Sequence, residues 1–229
     1  PSALLETSDG HLWVGTSGIG LLRFELRCFQ RARTCAPLTV TERDGLSSDE
    51  VRTLATKRGT DSEIWIGTRK GPTLWNGTVA HIPDRWVSPH PVRGFVEGED
   101  GSILVATKEQ GLVKYGPPPA QGEKWEEIHP AGVTDLSDTP HPAALWSLAR
   151  GQDNFLWGGA EGGVYAMSDQ VTGLSATFFR IADLAENERV HQLLPDASNR
   201  QQLQWFSTET ALGWFRRTTD EFTSKAIRV

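Results

Sequence analysis

Short runs in which apolar and polar residues alternate, each bounded by an Asp-Gly, Gly-Gly or Asn turn, recur along the chain. Alternation with a period of two is the pattern of half-buried strands. The runs are organised around Leu12-Trp13-Val14-Gly15-Thr16, which recurs as Ile64-Trp65-Ile66-Gly67-Thr68 and Ile103-Leu104-Val105-Ala106-Thr107. Leu156-Trp157-Gly158-Gly159-Ala160 is a fourth copy and Gln204-Trp205-Phe206-Ser207-Thr208 a worn fifth. The copies lie about 40–50 residues apart, the interval of propeller blades and solenoid units.

Each interval holds four runs. In the second repeat they are Val51–Thr56, Glu63–Thr68, Thr73–Asn76 and Thr78–Ile82; in the third, Val92–Glu97, Ser102–Thr107, Gly111–Tyr115 and Trp125–Ile128. Four short antiparallel strands per repeat predict an all-β chain, a β-propeller of about five four-stranded blades. The blades are expected at approximately 1–42, 43–84, 85–130, 131–181 and 182–229, forming one domain. They would close as a five-bladed ring or belong to a larger one. The closed ring is the expectation, because an open arc would leave two apolar blade faces uncovered.

The columns of the repeat have structural explanations. Trp13, Trp65, Trp157 and Trp205 would each cover an area on the order of 150–250 Å² between neighbouring blades. The glycine two residues later, where present, would let the next blade approach closely. No column reads as a catalytic site.

Asp44-Gly45-Leu46-Ser47-Ser48-Asp49-Glu50-Val51-Arg52-Thr53-Leu54, followed by Glu63-Ile64-Trp65-Ile66-Gly67-Thr68, resembles the two-component regulator propeller repeat. Repeats one to three follow its pattern well. Repeat four departs at Gly158 and Ala160, and repeat five keeps little beyond Trp205, Thr208 and an aromatic hairpin. The resemblance implies the extracytoplasmic sensor region of a bacterial membrane-bound receptor, often a hybrid histidine kinase responding to oligosaccharides. It also implies neighbouring propeller or signalling domains as partners. Fold transfers along such a resemblance more safely than ligand.

Charge and composition narrow this picture. With 23 Lys and Arg against 29 Asp and Glu, the net charge is −6, so no basic stripe suggests a nucleic-acid partner. No apolar run reaches the roughly 20 residues of a membrane span, so any signal peptide or membrane helix is expected outside these residues. Cys28 and Cys35 flank a short loop where a hairpin would bring them within bridging distance. A bridge would suit an oxidising, periplasmic or extracellular compartment; the other reading is two free thiols. His81, His90, His129 and His141 share no ligand spacing, and two isolated cysteines do not complete a tetrahedral set. No metal or other cofactor is expected.

Candidate binding residues follow from topology. The second positions of the inner strands form a column, Ser2, Arg52, Arg93, Trp146 and His191. The loops after the second strands add Arg69, Lys70, Lys108, Glu109, Gln110, Glu161 and Glu209. Donors, acceptors and one aromatic around a channel mouth would suit a small hydroxylated or anionic ligand, such as an oligosaccharide. The bland alternatives are arginines paired with acids such as Glu50, and Trp146 packed between blades. The long connections 116–122 and Pro130–Ala143 are a proline-stiffened spacer and a candidate lid.

Three function classes remain: a ligand-sensing receptor module, a lectin-like or protein-interaction scaffold, and a five-bladed glycoside hydrolase. The last needs two carboxylates about 5–10 Å apart, and the inner strands offer only Glu6 and Glu97 without a visible partner. The expected function is therefore binding rather than catalysis.

Overall fold

The computed structural model describes residues 1–29, 35–77, 79–81, 90–98, 102–108, 111–115, 127–128, 144–151, 155–170, 173–195, 203–218 and 221–229. Both long connections, as well as Glu109 and Gln110, lie outside these residues.

Five antiparallel four-stranded sheets make up the fold. The first comprises β1 (Ala3–Thr7), β2 (His11–Gly15), β3 (Leu21–Glu25) and β4 (Leu38–Val40), with the single turn of helix α1 (Leu26–Phe29) before β4. The second is β5 (Val51–Thr56), β6 (Ile64–Thr68), β7 (Gly71–Trp75) and β8 (Val79–His81). The third is β9 (Val92–Glu97), β10 (Ile103–Thr107), β11 (Gly111–Tyr115) and β12 (Glu127–Ile128). The fourth is β13 (Ser147–Arg150), β14 (Leu156–Ala160), β15 (Gly163–Gln170) and β16 (Gly173–Arg180). The fifth is β17 (Gln192–Pro195), β18 (Gln204–Ser207), β19 (Ala211–Arg217) and β20 (Phe222–Arg228). In every sheet the strands pair in chain order, the up-and-down meander of a propeller blade.

The chain divides into two compact units, residues 1–104 with 115–127 and residues 105–114 with 128–229, the boundary falling within the third sheet. In the first unit Trp13 meets Trp75 of the next sheet edge-on, 5.7 Å between centroids. Around this pair Leu21, Val40, Leu46, Val51, Ile64 and Ile66 form one core. In the second unit Trp157 packs on Phe215 at 4.7 Å, with Val164, Ile181, Leu184, Val190 and Phe206 around it.

The motif's glycine and threonine also have physical roles. A Cβ on Gly159 would lie 2.4 Å from the Val190 carbonyl oxygen, and one on Gly15 would lie 2.7 Å from a Val51 methyl. Each glycine thus leaves room for the valine that leads into the next sheet. Gly159→Ala is expected to destabilise the chain by about 1–2 kcal/mol through this backbone clash, measured by urea denaturation. The threonine locks the following hairpin. Thr16 Oγ1 donates to the Gly20 carbonyl at 2.8 Å and accepts from the Ile19 amide at 2.9 Å. Thr68 does the same with the Gly71 carbonyl and the Lys70 amide. These bonds satisfy turn groups that the strand ladder leaves unpaired.

The fifth copy departs from the expected packing. Trp13, Trp65 and Trp157 are each 1% exposed, whereas Trp205 is 38% exposed. Phe206 packs on the Trp157 core as Ile66 packs on the Trp13 core, and alternation along β18 keeps Trp205 on the opposite face, in the same column as Trp13 and Trp157. What buries Trp13 and Trp157 is the apolar side chains of the following sheet, so burial in this column is set by the neighbour and not by the strand itself.

Cys28 and Cys35 form a disulfide with Cα atoms 5.8 Å apart. It joins the end of α1 to the segment leading into β4.

Candidate functional site

The expected site residues fall into two groups, one in each unit. In the first unit, Arg52 of β5 pairs with Glu50, and Arg69, just beyond β6, reaches the other Glu50 oxygen at 3.4 Å. Lys70 donates to Glu42 at 3.0 Å. That bond, with the Asp49 amide, holds the Glu42 carboxyl below the usual carboxylate range. Ser2 is tied by its hydroxyl to the Val51 carbonyl, and Arg93 is the half-buried second residue of β9. The first-unit arginines at 52 and 69 thus share one acid, which leaves one positive charge in excess.

The second unit draws together Lys108, Trp146, Glu161, His191 and Glu209, along with Arg189, which the strand columns did not mark. Backbone bonds set their positions. The Leu145 amide donates to the Thr107 carbonyl, which brings the segment leading into β13 beside the turn that carries Lys108. Residues 160–162 run antiparallel to 188–190: the Val190 amide donates to Ala160 and the Gly162 amide to Glu188, while Glu161 and Arg189 form the bridge between them. The His191 amide donates to Ser207, fixing the start of the fifth sheet against the end of β18.

Trp146 stands at the centre and is 6% exposed. The Arg189 guanidinium lies 4.3 Å from the indole centroid, the Lys108 ammonium 5.9 Å, and the His191 ring approaches edge-on at 5.7 Å. Arg189 is held in turn by Glu161 at 3.1 Å, and His191 by Glu209 at 2.9 Å. The indole is therefore not the open stacking plane that a sugar platform requires. It is the floor on which cations rest, because its negative π face attracts them.

Arg189 is two residues before His191, so in extended chain both point the same way. The corresponding position in the second repeat is Glu50, two before Arg52. A charged residue at this offset in two repeats was the signal that could have found Arg189.

Chemically, the second-unit cluster presents N–H donors from Lys108, Arg189 and His191 beside carboxylate acceptors from Glu161 and Glu209. Lys108 has no carboxylate within ion-pair distance among the described residues. Among those residues no group of three His, Cys, Asp or Glu is arranged to hold a metal. Such a cluster can grip a polar ligand. Glu161 is already held by Arg189 and Glu209 by His191.

Comparison with known proteins bears on this geometry. The family described as two component regulator propeller matches residues 1–18, the stretch holding the first Trp-x-Gly-Thr copy, and so supports the resemblance. No curated protein matches the sequence. Among solved structures, the extracellular domain of a hybrid two component system from B. thetaiotaomicron superposes with a TM-score of 0.71 at 18% identity, covering 99% of this chain and 28% of that one. A second such domain from the same organism gives 0.59 at 14% identity, over 98% of this chain and 36% of that one. Virginiamycin B lyase from Staphylococcus aureus gives 0.65 at 15% identity, over 98% of this chain and 69% of that one. The chain thus spans about a third or less of the two extracellular domains. At these identities the likeness establishes the propeller fold alone. No helix among the described residues is long and apolar enough to cross a membrane.

Proposed function

We propose that this chain is a ligand-binding propeller of the sensor region of a bacterial membrane-bound signalling receptor, on the periplasmic or extracellular side. Its ligand is a hydroxylated molecule of the oligosaccharide class. The observation that carries the reading is the convergence of Lys108, Arg189 and His191 over Trp146, with Glu161 and Glu209 beside them. These residues come from the linking segments of three successive sheets, so one ligand could bridge segments that are far apart in sequence. The similarity to extracellular domains of two component systems supports a sensing role, and the Cys28–Cys35 disulfide suits an oxidising compartment. The module binds and does not catalyse.

Signalling would require the ligand to favour one arrangement of the receptor over another, since equal affinity for both shifts no equilibrium. The test is calorimetry of the full-length protein against a library of neutral and acidic oligosaccharides. It is followed by the pair Lys108→Ala and Arg189→Ala with any ligand found. Loss of two charge-assisted hydrogen bonds is expected to weaken binding by about tenfold or more, with the thermal midpoint little changed. Unchanged affinity in a folded variant rejects the site, and a library without a binder rejects the ligand class.

A further inference from the structure

The start of β5 is built unlike the starts of β1, β13 and β17. In those three sheets the first strand pair begins at Ala3–Gly15, Ser147–Gly159 and Gln192–Ser207 and runs without a slip. β5 pairs Thr53 with Gly67 in the same way but continues to Val51 and Thr68, and the register shifts between the two pairs. Arg52 is therefore the extra residue of a bulge, a device that re-aims a side chain. Past the bulge the Arg69 amide donates to the Glu50 carbonyl at 3.0 Å, which brings the Arg69 side chain to the carboxylate that Arg52 already holds.

That carboxylate cannot satisfy both arginines. Each guanidinium offers five N–H donors. Among the described residues Arg52 uses one of them, to one Glu50 oxygen, and its buried Nε–H has no hydrogen-bond partner. A buried donor left unpaired is costly. Arg69 makes a single long contact, 3.4 Å from the other Glu50 oxygen. The nearby acids are engaged elsewhere. Glu42 accepts from Lys70 and from the Asp49 amide, Asp49 accepts from the Glu42 amide at 2.7 Å, and Asp44 accepts from the Thr41 amide at 2.9 Å. Two guanidiniums thus flank one carboxylate, with one positive charge and several donors left over.

We infer that Arg52 and Arg69 form a binding site for one anionic group, a carboxylate or a sulfate, which bridges the two guanidiniums beside Glu50. Planar guanidinium forks hold such oxyanions through paired, charge-assisted N–H···O bonds. The site lies within the first unit and shares no residue with the Trp146 cluster, so it does not rest on the function proposed for that cluster.

Calorimetry of the full-length protein with glucuronate and with glucose 6-sulfate, and with glucose as the neutral control, tests it. Glucuronate, glucose 6-sulfate or both are expected to bind and glucose not to; which of the two binds tells carboxylate from sulfate. Arg52→Gln and, separately, Arg69→Gln are expected to weaken anion binding at least tenfold. Arg69 lies outside the core, so its variant decides the matter if Arg52→Gln fails to fold. Arg180→Gln removes the same charge from a residue paired with Glu186 in the second unit and is expected to leave the affinity unchanged. Failure of both anions to bind, or glucose binding as tightly as they do, overturns the inference. So does equal weakening by all three variants, the mark of diffuse charge attraction. Anion binding that survives both Arg52→Gln and Arg69→Gln overturns it while leaving the Trp146 cluster as a possible holder of the anion.

Discussion

Trp157→Ala is expected to destabilise the chain by about 4 kcal/mol, while Trp205→Ala costs less than about 1 kcal/mol. The two residues occupy the same column of the repeat, and a sequence argument alone would treat them alike. Trp157 is 1% exposed, with Phe215 at 4.7 Å, Phe179 at 6.1 Å and Val164, Ile181, Leu184 and Val190 around them. Truncation there removes on the order of 200 Å² of buried aromatic surface and leaves a cavity between two sheets that can only partly relax. Trp205 lies on the exposed face of the fifth sheet, where water already reaches the ring. Urea denaturation of residues 1–229, followed by circular dichroism so that loss of an indole does not alter the probe, checks both values. Equal losses at the two positions would contradict the interleaved packing of sheets four and five.

The same contrast shows where sequence stops being informative. Strands β5, β9, β10 and β11 were legible nearly to the residue, because alternation and turn glycines are local properties of the chain. The motif's glycine was legible for a related reason: close approach in a stack recurs at Gly15, Gly67 and Gly159. Burial of Trp205 was not legible, since it depends on what lies on the far side of its sheet and no pattern within the repeat encodes that. The motif's threonine was seen as a signature without its role, which appears only when the hydrogen bonds across the hairpin are seen.

The candidate site divides in the same way. Lys108, Trp146, Glu161, His191 and Glu209 could be found because a meander places every such linking segment at a predictable end of its sheet. One feature could not: the covering of Trp146 is decided by the rotamer of Arg189, 43 positions away in sequence. Arg52 and Arg69 were candidates on position alone, and both lean on the single carboxylate of Glu50, which leaves one positive charge in excess. Topology therefore selects positions where a ligand could be met, and the pairing of charges decides which positions keep something to offer it.

Glu188 had no sequence signal at all, and replacing it is expected to have the second largest effect. It lies in the segment between β16 and β17 with its side chain only 7% exposed. Burial alone would push its carboxyl up, but hydrogen bonds from Thr208, Arg228, Thr210 and the Ala185 amide outweigh it and pull the value down from 4.5 to about 2. Arg228 also donates to the Asp183 carbonyl and to Thr210, so one carboxylate ties the end of β20 to the segment leading into the fifth sheet and to the β18–β19 hairpin. Because the folded value lies below the unfolded one, the stabilisation is present in full above about pH 5. It is lost progressively as pH falls through 4.5 towards 2. The shift corresponds to about 3 kcal/mol at most, and screening at Arg228, 54% exposed, reduces the pH-dependent part to about 1–2 kcal/mol. Glu188→Ala also leaves the hydroxyls of Thr208 and Thr210 without their acceptor, which brings its expected cost at pH 7 to about 2–3 kcal/mol. Glu188→Gln keeps the shape and removes the charge, so its stability should change less than that of the natural chain between pH 5 and pH 2.5. Urea midpoints across that range decide the matter: parallel pH profiles for the natural chain and Glu188→Gln would mean that other carboxylates carry the acid sensitivity and that the Glu188 knot is held by shape alone.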